Sequence, residues 1–87
     1  MQLYYLHFCD RQVRIADDEG HLFESLPEAI VEAERSVKEL VEQARADRAP
    51  FADMRIEIAD KDGSILATAS ASQIDGAARQ QEASKFR

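Results

Sequence analysis

The chain has 87 residues, 45% of them apolar, with 11 basic against 17 acidic side chains, a net charge of −6 and a pI near 4.8. That length predicts one domain with a thin stability margin. The acidic balance argues against nucleic acid, whose binding is built on Lys and Arg neutralising phosphates, and against an anionic membrane surface. Cys9 is the single cysteine, so no internal disulfide can form. There is no basic n-region followed by an apolar stretch, and no apolar run of about 18 residues, so a cytoplasmic protein is expected.

The first segment, Leu3-Tyr4-Tyr5-Leu6-His7-Phe8, is short and rich in aromatic and aliphatic residues, and it reads as a strand. Period-2 geometry puts Tyr4, Leu6 and Phe8 on one face and Leu3, Tyr5, His7 and Cys9 on the other. Cys9 to Gln12 forms a polar break. Gln12-Val13-Arg14-Ile15-Ala16 then alternates as a half-exposed strand does, completing a hairpin. Asp17-Asp18-Glu19-Gly20 is a turn or loop, after which Leu22 and Phe23 are expected to lie back on the core.

A helix is expected over about residues 26–47. Ser25 is a good N-cap, Glu28 stands at the capping-box spacing, and Pro27 falls in the first turn, where its missing N–H costs nothing. Leu26, Ile30, Ala33, Val37, Leu40, Val41 and Ala44 recur at steps of three and four and make one apolar stripe. Glu34–Lys38, Arg35–Glu39 and Lys38–Glu42 support the opposite face as i,i+4 pairs. Pro50 ends the helix.

Met54-Arg55-Ile56-Glu57-Ile58 alternates strictly, Asp60-Lys61-Asp62-Gly63 makes a tight connection, and Ser64 to Thr68 is the partner strand. After Ala69 the composition turns small and polar. The expected organisation is therefore one α+β domain over residues 1–69, followed by a flexible polar tail over 70–87, with a loose helix at best around Gly76 to Lys85. Strand, strand, helix, strand, strand closes most simply as a four-stranded antiparallel sheet in the order 2-1-3-4, with the helix packed on one face. The other face is left uncovered. Its residues Tyr5, His7, Arg14, Arg55 and Glu57, with Asp17, Asp18 and Glu19 in the acidic loop, are the expected interaction surface.

No catalytic, cofactor-binding or metal-binding residue is assigned. His7, Cys9 and His21 could hold Zn²⁺ only with a carboxylate and lack any recognised ligand spacing. Asp60, Asp62 and Gly63 match a calcium loop in fragments, missing its third acid and the bidentate Glu, and hairpin chemistry accounts for them. Asp10, Asp17, Asp18, Glu19 and Glu24 read as a solvated rim suited to a cationic partner rather than to acid–base catalysis. Cys9 stands in no nucleophile signature. Gly20, Gly63 and Gly76 form no phosphate loop, and Tyr4, Tyr5 and Phe8 have no basic groove to make them nucleic-acid stacking platforms.

These pieces in this order resemble a known family. They are Tyr4-Tyr5-Leu6-His7-Phe8-Cys9-Asp10, the Asp17-Asp18-Glu19-Gly20 loop, Leu26-x-x-Ala29 with Glu32-Ala33, and Arg55-Ile56-Glu57-Ile58-x-Asp60-x-Asp62-Gly63. The likeness, over roughly residues 3 to 68, is to the short proteins grouped as the domain of unknown function numbered 6894, found mostly in alphaproteobacteria. Pro27 and the longer polar tail depart from that pattern. The resemblance implies the architecture and brings no catalytic residues. Leu26-Pro27-Glu28-Ala29 is more loosely similar to the helix opening of HicB-type antitoxins, which would imply a basic protein partner; the DNA-binding segment of those antitoxins has no counterpart here.

Two functions follow as expectations. The first is a non-enzymatic protein-interaction or regulatory module, with homodimerisation through a strand edge or the open face as one form of it. The second is a small-molecule or metal-binding protein, with hydrolytic activity in prospect, that uses His7, Cys9 or the acidic loop.

Overall fold

The computed structural model describes residues 1–74. In chain order they form β1 (Gln2–Cys9), β2 (Arg14–Ile15), β3 (His21–Phe23), α1 (Leu26–Ala46), β4 (Arg55–Ala59) and β5 (Ile65–Ser70), with a helical turn at 71–74. The fold is α+β, with an antiparallel sheet and one main helix. The sheet has five strands rather than four. Its order is β2-β1-β4-β5, and β3 also pairs with β1.

The added strand arises because the second arm of the first hairpin is interrupted. Arg14 and Ile15 pair with Cys9 and Phe8, and His21, Leu22 and Phe23 pair with Tyr4, Leu3 and Gln2. Residues 16–20 stand opposite Tyr5 to His7 and bulge out of the ladder. Tertiary pairing shortens the strand expected at residues 12–16 and makes a strand of residues 21–23, for which no strand was expected. Phe23 packs against the core as expected. Leu22 does not: it is 62% exposed on the other face.

The helix forms where its caps and stripe place it. Ser25 has extended backbone and its Oγ accepts from the Glu28 N–H. The Glu28 carboxylate accepts in turn from the Glu24 N–H, one residue before the usual capping-box donor. At the far end Arg48 takes φ 57°, and the Ala49 N–H donates to the Ala44 carbonyl at 2.8 Å. This is a left-handed helix stop built without glycine, just before Pro50.

The core lies between α1 and one sheet face. Ala29, Ala33, Val37 and Val41 of the helix meet Tyr4, Ile56, Ile58 and Ala69 of the sheet, with Leu6, Phe8, Met54 and Ile74 packed around them. Alanines at the contact let the helix backbone approach closely. Fully buried Val37 and Ile58 each contribute roughly 1.5–3 kcal/mol by leaving water. The β4–β5 turn closes on Asp60, whose Oδ1 accepts from the Asp62 and Ser64 N–H groups, and Gly63 takes φ +86°. Ala71 is fully buried and Ile74 packs on the core, so the packed chain continues beyond Ala69, where the change of composition places the domain's end. The loose helix expected at Gly76 to Lys85 lies outside the described residues.

Candidate functional site

The sheet face opposite α1 carries the odd-numbered side chains of β1, with those of Arg14, Leu22, Arg55 and Glu57 beside them. Leu3 and Leu22, cross-strand partners, are 38% and 62% exposed. The residues expected to form an interaction surface do lie on or beside this face, but they gather into two separate groups.

The first group is built around the interruption in the β1 edge. With Phe8 paired to Ile15 and Tyr4 to His21, the Leu6 N–H points at an edge where no strand passes. The Asp17 carboxylate fills that place: Oδ2 accepts from the Leu6 N–H at 3.2 Å. Oδ1 accepts from the Glu19 and Gly20 N–H groups at 3.2 and 3.0 Å. The Asp17 N–H itself donates to His7 Nδ1 at 3.0 Å. In that bond Nδ1 is the acceptor, which orients the His7 ring. His7 stacks beside Tyr5, with ring centroids 6.4 Å apart and planes at 14°. Gly20 closes the loop at φ +76°, where an added Cβ would stand 2.9 Å from Leu3 and 3.1 Å from Tyr5.

This geometry corrects one expectation. Asp17 belongs to no solvated rim; its side chain is 15% exposed. Burial pushes its carboxyl pKa up, but the backbone N–H groups of Gly20, Leu6 and Glu19, with His21 nearby, outweigh that and hold it below the ordinary aspartate value. Asp18 and Glu19 are exposed at the loop tip. The sequence signal for Asp17 was the Asp-x-x-Gly spacing of a side-chain-closed turn; its reach across to Leu6 has no local signature.

The second group centres on Glu57. Its carboxylate lies 3.4 Å from Arg14 Nε and 3.8 Å from Arg55 Nε and accepts from the Cys9 thiol at 3.5 Å. Cys9 is 1% exposed, where alternation alone places it on a partly open face. The side chains around Glu57 cover it. Burial first, then the neighbouring Glu57 charge and its hydrogen bond, raise the Cys9 pKa against the opposing pull of Arg55 and Arg14. The thiol therefore stays protonated and is a poor nucleophile.

His21 pairs with Tyr4, whose side chain enters the helix-side core, so His21 stands on the opposite side of the sheet from His7 and Cys9. The three do not converge. Among the described residues no group of three or more His, Cys, Asp or Glu could hold a metal ion. Asp60 and Asp62 serve the β4–β5 turn. Two clefts open at opposite ends of the molecule. One, of about 720 Å³, lies between β3 and α1 and is lined by Leu6, His21, Phe23, Glu32 and Ser36. The other, of about 260 Å³, lies beside Arg11, Phe51, Asp53 and Met54. No helix among the described residues is long and apolar enough to cross a membrane.

The model of a family described as a domain of unknown function (DUF6894) matches residues 3–72, from the start of β1 past the end of β5. No curated protein and no solved structure matches the chain.

Proposed function

The chain belongs to the DUF6894 family of domains of unknown function, and from that premise we propose that it is a non-enzymatic, cytoplasmic interaction module that binds a protein partner through its helix-free sheet face. One observation carries this reading. Exposed Leu3 and Leu22 sit together at one end of that face, next to the Asp17 loop, with the Arg14–Glu57–Arg55 cluster at its other end. An exposed apolar pair next to fixed polar groups is the composition of a recognition surface. Asp18 and Glu19 at the loop tip, together with the net charge of −6, favour a basic partner by steering and by repelling acidic competitors. The likeness of Leu26-Pro27-Glu28-Ala29 to the helix opening of HicB-type antitoxins points the same way.

The test is hydrogen exchange on the protein with and without a partner captured from its native lysate, alongside two charge-inserting variants. Binding should protect β1 and β3 amides. Leu22→Asp should abolish capture, while Val31→Asp, at the exposed face of α1, should leave it intact. Equal capture by both variants would remove the sheet face from consideration.

A further inference from the structure

The two outer edges of the sheet differ in their chemistry. On one side β2 and β3 are short, separated by the acidic bulge, and flanked by Arg14, Asp17, Asp18 and Glu19. On the other side β5 is continuous, and the run Ser64 to Ile74 contains no charged residue, no Pro and no Gly. Natural sheets blunt their edges with charges, bulges or very short strands. The first edge has all three devices. Over its uncharged run, the second carries only the bulge opposite Ala59 at its start.

The backbone of β5 is also set for pairing. The Ala71 N–H donates to the Met54 carbonyl at 2.9 Å, in the same register as Ala69 opposite Ile56 and Ala67 opposite Ile58. Inward and outward groups alternate along an antiparallel strand. Ala67, Ala69 and Ala71 therefore direct their backbone groups at β4 and its extension, and Thr68 and Ser70 turn their N–H and C=O outward, away from the sheet. Ile65 and Leu66 beside them are 46% and 41% exposed.

We propose that β5 pairs antiparallel with β5 of a second copy across a two-fold axis at Thr68, making a homodimer with one continuous sheet. In this register Thr68 faces Thr68 of the second copy, a favourable cross-strand pair, and Ala67 faces Ala69 while Leu66 faces Ser70. The occupant follows from the charge pattern. In a strand that pairs with its own copy a charge at or next to the axis meets an identical one, whereas a foreign strand can bring the opposite charge. An edge stripped of charge, in a chain of net −6, suits self-pairing, and the two-fold contact is closed and self-complementary. This inference goes beyond the sheet-face reading and does not depend on it, because Leu22→Asp would block that surface and leave β5 unchanged.

Sedimentation equilibrium of the full chain tests it. The wild type should weigh twice the 9.8 kDa chain. Thr68→Pro removes an outward N–H that the β4 ladder does not use, and Thr68→Lys places like charges at the axis; both should be monomeric with an unchanged circular dichroism spectrum. If the proline variant fails to fold, the lysine variant decides. Thr68→Cys should oxidise to a covalent dimer, since directly opposed, hydrogen-bonded residues have Cα atoms about 5.5 Å apart, within disulfide reach. A monomeric or larger wild type, a dimer that survives Thr68→Lys, or a dimer dissolved instead by Leu22→Asp would each overturn the proposal.

Discussion

The β1 edge and the β5 edge show two ways of finishing one sheet. At the β1 edge the ladder is broken on purpose. A bulge replaces the missing strand, and one aspartate satisfies the amide the break exposes while also closing its own loop. At the β5 edge, among the described residues, only the bulge at its start interrupts the strand, and outward amides of Thr68 and Ser70 stand beside small uncharged side chains. The lesson is about where order comes from. On the first edge it is concentrated in a few polar side chains that cannot be changed singly. On the second it is spread along a backbone whose side chains are nearly interchangeable.

The largest expected effect separates these regimes. Asp17→Ala leaves the Leu6, Glu19 and Gly20 N–H groups without their acceptor and should cost roughly 2–3 kcal/mol in denaturant unfolding, as for hydrogen bonds to a charged group. The same site gives a pH signature. Because the folded carboxyl has a lowered pKa, its stabilisation is present above the unfolded aspartate value and is lost as pH falls through the folded one. Wild type should lose stability more steeply than Asp17→Asn on acidification. Parallel acid profiles would show that Asp17 is not the anchor of this edge.

Next in size is Gly20→Ala. The residue holds φ +76° with Leu3 and Tyr5 against the place of a Cβ, so a side chain there is both strained and crowded. The expected loss is about 1–2 kcal/mol, read as a lowered thermal midpoint. A neutral result would mean the loop can open without cost, and the contrast between the edges would weaken.

Smallest is Ser70→Ala on β5. The Ser70 hydroxyl meets Ser72 at 3.4 Å and its backbone groups are untouched, so stability should stay within about 0.5 kcal/mol of wild type. A loss approaching that of Asp17→Ala would reveal that the β5 edge also rests on a single side chain.

The helix, from the Ser25 cap to the stop before Pro50, is legible from local rules alone: capping, the 3–4 apolar spacing and proline sterics act over a few residues. So are the β4–β5 hairpin, with Asp60 and Gly63 at its turn, and the two-faced alternation of β1. What local rules cannot supply is the fate of residues 16–23. Polar composition there reads equally well as a loop, and only pairing with β1 turns His21 to Phe23 into a strand and carries Asp17 against Leu6. The same holds for Cys9, placed by alternation on an open face yet buried once Glu57, Arg14 and Arg55 arrive from other strands. Short-range forces determined which elements exist. Long-range contacts decided which carboxylate is buried, which thiol is hidden and which strands end the sheet, because those depend on neighbours that the chain brings together only after it has folded.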